Sequence, residues 1–326
     1  MSRWQAFRHS PYYPAVVVSL LAAFGAALFA GSYTYALANP TPHRMPVAVA
    51  GEPETERARG YVAALEKELH TTLRVRAYPD YPQAVDAVER QQVFAVVREQ
   101  GEGITLAVTS ASGASVAELL KTAGPAAGKA LGVPVTVTDL KPLHSGDPRG
   151  LALFYITLAA VIVGFLGAIQ LGVHAPRLNP GERIAAVAAY SVLGGFLLCA
   201  TVDWLLGAVP LPPVCWPQLM LTMFTAGMVF TVFNTFFGRW ALLPTWGLLV
   251  LLGNPASGGP VSWPLLPSPL GLIGRWLPPG ASVNALHNAV YFAGHQHLQP
   301  YLVLLVWAAV SAAIFWTWRH RHPGGR

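Results

Sequence analysis

Five apolar runs, each about 20 residues long or longer, limit what this chain can fold into more than any other feature. They cover residues 14–38, 150–173, 184–209, 217–237 and 300–318, and Asp203 is the one carboxylate inside them. A helix rises 1.5 Å per residue, so about 20 residues cross the roughly 30 Å hydrocarbon core of a bilayer. Only 11% of the 326 residues are charged, where soluble domains carry about 25%. A soluble core would leave too few polar groups for its surface, so the solvent is lipid. A sixth apolar run, residues 240–253, is about 14 residues long and short for a full crossing.

The positive charges orient these segments, because short cytoplasmic loops collect Lys and Arg. Six crossings put Arg3, Arg8, Arg177, Arg183, Arg239, Arg319, Arg321 and Arg326 on the cytoplasmic side, and leave Arg275 as the one arginine of the short outer loops. A non-crossing fifth segment would move Arg319 and Arg321 outside. The expected protein is therefore a multi-pass inner-membrane protein with both termini, 1–13 and 319–326, in the cytoplasm. Ala36, Leu37 and Ala38 resemble a signal-peptidase site. The apolar run before them exceeds the 7–15 residues usual in a signal peptide, which favours an uncleaved anchor at 14–38.

Residues 39–149 hold most of the charge and read as a globular insert. Residues 45–50 form an apolar strand; 54–72 follow a helical period, with Ala58, Tyr61, Val62, Leu65 and Leu69 on one face. A half-buried strand at 73–78 and a short helix at 83–90 follow. A hairpin pairs 93–97 with 104–109 across Gly101, Glu102 and Gly103. A helix at 116–131 and a strand at 133–137 complete the order βαβαββαβ, which predicts an open α/β sandwich on the outer face. The fold class expected is a membrane α-helical bundle of six transmembrane helices, with this extracytoplasmic α/β domain inserted between helices 1 and 2. The membrane domain spans 150–318.

The net charge of +6 comes without a basic block or stripe, so no nucleic-acid partner is expected. Cys199 and Cys215 have no metal-site spacing, and bridging them needs a local fold-back. Residues 124–130 resemble a Walker A motif but are one residue short and lack the magnesium-binding Ser or Thr. His287, His295 and His297 make a weak metal cluster, since only the last two are close in sequence. Ser257 and Ser262 lack a nucleophile elbow. No catalytic residue, cofactor or resident metal is expected, and the chain does not read as an enzyme.

Small residues mark helix contacts in lipid, where backbones must approach closely. Ala160, Gly164, Ala168 and Gly172 recur every four residues in the second span. Ala23, Ala27 and Gly31 do so in the first, and Ala308 and Ala312 in the last. These are expected to be seams within the chain, with a homodimer or partner contact as the rival reading. Asp203, about two turns from the outer end of the third span, is either an interfacial carboxylate or part of a pathway. Gln170 and Asn234 sit near cytoplasmic ends and are expected to bond neighbouring helices.

Residues 254–292 have too many Pro and Gly for a span and too many apolar residues for a free loop. A re-entrant or interfacial hairpin on the outer face resolves that conflict. The layout resembles the permease-like proteins of the type-2 ABC exporter superfamily, in particular the branch related to the phage infection protein (Pip-like). The segments carrying the resemblance are MPVAVAG at 45–51, VPVTVTDLKPLHSGDPRG at 133–150, NPASGGPVSWPLLPSPL at 254–270 and LPPGASVNALHNAVYF at 277–292.

The resemblance implies a homodimer paired with a separate ATP-binding subunit, exporting a hydrophobic or lipid-like substrate. It assigns gating to the 254–292 hairpin, with Asn254, Gly258, Gly259, Pro278 and Asn284 as gate candidates. Substrate contact falls to the inner faces of the second and fifth spans. Arg177, Glu182 and Arg183 become the ATPase-coupling candidates, although the loop at 174–183 is short for a coupling helix. Residues 179–182 also read as a capping box that simply starts the third span. Two rivals stand beside the exporter. One is a non-transporting surface protein whose outer domain binds an envelope partner, ligand or phage. The other is a proton-coupled carrier working through Asp203.

Overall fold

The computed structural model describes residues 8–10, 12–51 and 55–322. Arg3 and Arg326, two charges of the topology argument, lie outside them. The elements of the described residues run in the order α1 (Tyr12–Leu37), β1 (Pro46–Ala50), α2 (Glu56–Leu69), β2 (Arg74–Tyr78) and α3 (Tyr81–Glu89). The chain then forms β3 (Ala95–Gln100), β4 (Gly103–Val108), α4 (Ala114–Leu131) and β5 (Val135–Asp139). The remainder is helical: α5 (Ala152–His174), α6 (Pro180–Cys199), α7 (Cys215–Phe237), α8 (Leu242–Trp246), α9 (Ser268–Ile273), α10 (Pro278–Tyr291) and α11 (Gln299–Arg321). Among the described residues five helices are long and apolar enough to cross a membrane: α1, α5, α6 extended to Leu205, α7 extended to Trp240, and α11. The apolar helix Leu242–Gly253, α8 with a wider π-type extension, is shorter.

Helix ends differ from the expected spans for local reasons. α6 starts at Pro180, not 184, because Asn179 caps it: its side chain accepts from the Glu182 N–H while Glu182 accepts from the Asn179 N–H. The same helix stops at Leu205, not 209. There Gly207 takes a left-handed φ of 59° and the Asp203 carboxylate accepts from the Leu211 N–H at 3.2 Å. Asp203 therefore lies in the last turn, not two turns inside. α10 begins at Pro278 instead of 282, since two prolines are well placed in a first helical turn. Strand β5 starts two residues late because Pro134 has no N–H to pair; its carbonyl accepts from Ile104 at 2.9 Å.

The five strands form one mixed sheet in the order β2-β1-β3-β4-β5, antiparallel only between β3 and β4. One face carries α2 and α4 over Val47, Val49, Val97 and Leu106; the other packs α3 through Ala84, Ala87 and Val88 onto Ala48 and Val96. Tyr61 is fully buried and donates to the Gly124 carbonyl at 3.2 Å, and burial raises its pKa. The residues resembling a phosphate loop lie inside α4. A methyl at Gly124 would collide with Leu106, and one at Gly128 with Val135, so these glycines serve helix–sheet packing.

In the bundle, α7 is the central helix, packed against α5, α6, α10 and α11. A methyl at Gly164 would lie 2.6 Å from the Met223 carbonyl oxygen, so α5 and α7 touch backbone to backbone there. Ala160 is buried with Leu219 and Met223, and Ala168 with Ala226 and Val229. Gly172 has room, with only the Arg183 guanidinium 3.8 Å away. Ala308 is buried, and Ala312 packs against the cluster of Val187 and Met228. Ala23, Ala27 and Gly31 are exposed, contrary to the expected internal seam. The reason is that α1 meets the rest of the chain on its other side, where Gly25 and Phe29 face Trp246.

Candidate functional site at the junction of sheet and bundle

Residues 254–277 fold as a chain of short helical turns clamped between the sheet and the bundle. Val261, Leu265 and Leu266 are buried in the same apolar cluster as Val47, Leu65 and Leu106. Three such side chains contribute roughly 1.5–3 kcal/mol each when fully buried, so this segment is part of the sheet's own core. Hydrogen bonds secure it: Ser115 Oγ accepts from the Ser262 N–H at 3.0 Å, and the Pro264 carbonyl accepts from His43 at 2.7 Å.

Helix α10 makes the second attachment. Gln91 donates to the Asn288 amide oxygen at 2.5 Å. Lys141 pairs with Glu89 at 2.5 Å and lies 4.7 Å from the centre of the Phe292 ring. His144 Nδ1 lies 3.2 Å from the carbonyl of Ala208, in the turn between α6 and α7. The sheet thus touches the bundle at three places far apart in sequence.

Between these attachments is a cavity of about 490 Å³, within the range of ligand pockets. Phe94, Ser112 and Gly113 wall it from the sheet; Trp263 and Trp276 from the loop; His287 and Phe292 from α10 and its end. Three gate candidates, Gly258, Gly259 and Asn284, line it, and Pro278 and Asn254 do not. Pro278 is buried in the first turn of α10. Asn254 is fully buried beside Tyr33 of α1, with both amide atoms lacking a well-formed hydrogen bond. Desolvation lowers the pKa of His287 below its ordinary 6.5, opposed by the Ala111 backbone and the Asp147 charge.

A polar knot that sequence reading missed centres on Ser282, next in the chain to the cavity-lining Val283 and Asn284. Gln218 donates to Ser282 Oγ at 2.9 Å, Thr222 donates to the same oxygen at 2.8 Å, and Thr157 approaches it at 3.4 Å. All four residues are buried, and Gln218 Oε1 has no partner. This knot ties α10 to α5 and α7. A Gln, two Thr and a Ser spread over three segments carry no local pattern; Gln218, a lone amide at a span's start, was the one visible signal.

The coupling candidates sit at the opposite end. Glu182 is used in its own cap, and Arg183 donates to the Ala175 carbonyl at 3.2 Å, closing the turn between α5 and α6. Arg177 is exposed in that turn, and no helix separates α5 from α6. The Asn234 carbonyl accepts from the Gly238 N–H at the end of α7. His295 lies 3.8 Å from Asp86, His297 lies 3.1 Å from the Arg90 carbonyl, and of the two only His297 lines the cavity with His287. Among the described residues no three His, Cys, Asp or Glu could share a metal ion. Cys199 and Cys215 are free thiols in one apolar cluster. A second hollow, about 390 Å³, is a nearly all-apolar groove between α5 and α6, lined by Val163, Gly167, Tyr190 and Leu197.

Neither protein-family models nor curated proteins yielded a match to this chain. The fold and site are those of a helical membrane protein with a small mixed sheet set against its bundle.

Proposed function

We propose that this chain is the permease-like membrane subunit of an exporter of hydrophobic or lipid-like substrates, driven by a separate ATP-binding subunit. The observation that carries this reading is the 254–292 segment, which is at once part of the sheet's core and one wall of a ligand-sized cavity. A segment so shared moves only if sheet and bundle move together, which is what an outer gate requires. The apolar groove between α5 and α6 supports a hydrophobic substrate.

In this reading the sheet is extracytoplasmic, both termini are cytoplasmic, and Leu242–Gly253 is the fifth of six crossings. At 1.5 Å per residue that helix covers only part of a roughly 30 Å core. Irregular backbone would then begin at membrane depth, where surrounding protein must satisfy it. A second copy would cover the exposed Ala23, Ala27 and Gly31 of α1.

The test is affinity purification from native membranes in mild detergent, with quantitative mass spectrometry. An ATP-binding subunit at near-equal abundance, lost in Arg177→Glu, supports the proposal. Arg177 is the informative position because Glu182 and Arg183 are used by the turn itself. The absence of a helix between α5 and α6 favours a second reading, a surface protein whose sheet unit binds an envelope partner. An intact protein that reproducibly purifies without an ATPase would replace the first reading with that one.

A further inference from the structure

Four cations of the sheet unit are held by carboxylates: Arg57 by Glu99, Arg90 by Asp86, Lys121 by Asp139 and Lys141 by Glu89. Arg275 differs. It lines the cavity, its guanidinium lies 5.7 Å from the Trp276 ring centre, and no described carboxylate lies within ion-pairing distance of it. Among the described residues lining the cavity there is no Asp or Glu, while His287 and His297 join Arg275. Ser112 Oγ, on the sheet side, is buried without a partner. Phe94, Trp263 and Phe292 supply apolar wall. Leu272 and Trp276, 61% and 54% exposed, place an apolar rim beside Arg275, as residues at a bilayer interface do.

We infer that this cavity binds an anionic amphiphile, its phosphate, sulfate or carboxylate head on Arg275 and its apolar body against Phe94, Trp263 and Phe292. The head would take the charge-assisted bonds that Arg275 makes to no carboxylate of its own chain. The body would displace water from aromatic walls. The inference deepens the gate reading by naming what the gate holds. It does not depend on an ATPase.

The experiment is equilibrium binding of radiolabelled dodecyl phosphate to the full chain in phosphatidylcholine nanodiscs, with dodecylamine as the cationic competitor. Saturable binding at one site per chain is expected. Arg275→Gln should weaken it about tenfold, as loss of a charge-assisted bond does, while Arg275→Lys retains most of it. Asn284→Trp, which places a bulky ring at the cavity wall, should abolish it. Dodecylamine should not displace the probe. Equal displacement by dodecylamine, wild-type binding in Arg275→Gln, or wild-type binding in Asn284→Trp overturns the inference. Arg275 is exposed, so its variants test the charge without threatening the fold. Repeating the measurement in phosphatidylglycerol nanodiscs separates two sources of the same chemistry. Loss of probe binding there assigns the site to an outer-leaflet lipid, and unchanged binding assigns it to a water-borne amphiphile. Binding without a co-purifying ATPase would uphold this inference and sink export; the converse would do the opposite.

Discussion

Gly113 backs directly onto Ser262: a methyl group added at Gly113 would collide with the Ser262 hydroxyl, which also lies 3.1 Å from Ser115 Oγ. The sheet and the loop are therefore joined at a point with no spare volume. Gly113→Ala should push the loop outward at a cost of about 1–3 kcal/mol, typical of overpacking. Hydrogen exchange checks this: protection should fall at residues 261–266 and stay unchanged in α7. Unchanged protection at 261–266 would mean that the loop adjusts freely and is not clamped.

The knot around Ser282 should show coupled energetics. Ser282→Ala alone removes the shortest acceptor of both donors, leaving Gln218 its longer bond to the Ser282 carbonyl and Thr222 its bond to the Gln218 carbonyl, whereas adding Gln218→Leu removes one of those polar groups. A double-mutant cycle on thermal unfolding in detergent should give a coupling of roughly 0.6–2 kcal/mol, the scale of interhelical hydrogen bonds in membranes. Strict additivity would show that the bonds do not hold α10 in place.

Gly164 and Gly172 share one stripe and should behave differently. Gly164→Ala places a methyl 2.6 Å from the Met223 carbonyl oxygen, while Gly172→Ala meets only Arg183 at an ordinary 3.8 Å. The first should cost about 1–3 kcal/mol by forcing α5 from α7, and the second should be near neutral. Melting temperatures of the two variants, measured in the same detergent, decide it.

His287 links the junction to pH. Its folded pKa lies below the ordinary 6.5, with desolvation the largest cause. The unfolded chain then binds a proton first on acidification, so stability is full above about 6.5 and declines as pH falls toward the lowered folded value. Melting the full chain from pH 8 downward should show this decline, reduced in His287→Gln. Asp147 opposes the shift, so Asp147→Asn should enlarge the decline. A pH profile identical in wild type and His287→Gln would remove His287 as its source.

Much of this protein was decided locally and could be read from the chain. Apolar runs with almost no charge must become helices, because lipid leaves backbone groups no other partner. Ala58, Tyr61, Val62, Leu65 and Leu69 announced a helix against a sheet, and the order βαβαββαβ emerged from alternating periods. Asn179 and Glu182 spelled a helix start that formed as a capping box. What local pattern cannot express is which distant surfaces meet. Val261 and Leu266 looked like part of a membrane hairpin, yet they complete a core begun at Val47. Gln218 and Ser282 carry no shared motif, and only the crossing of α7 with α10 makes them partners. The end of α6 turned on a carboxylate reaching Leu211, eight residues onward, which moved Asp203 from inside a span to its last turn. The cavity with its unpaired Arg275 belongs to the same category. Side-chain period encodes which face of an element is apolar, but pairing those faces is a packing problem solved only by the whole fold.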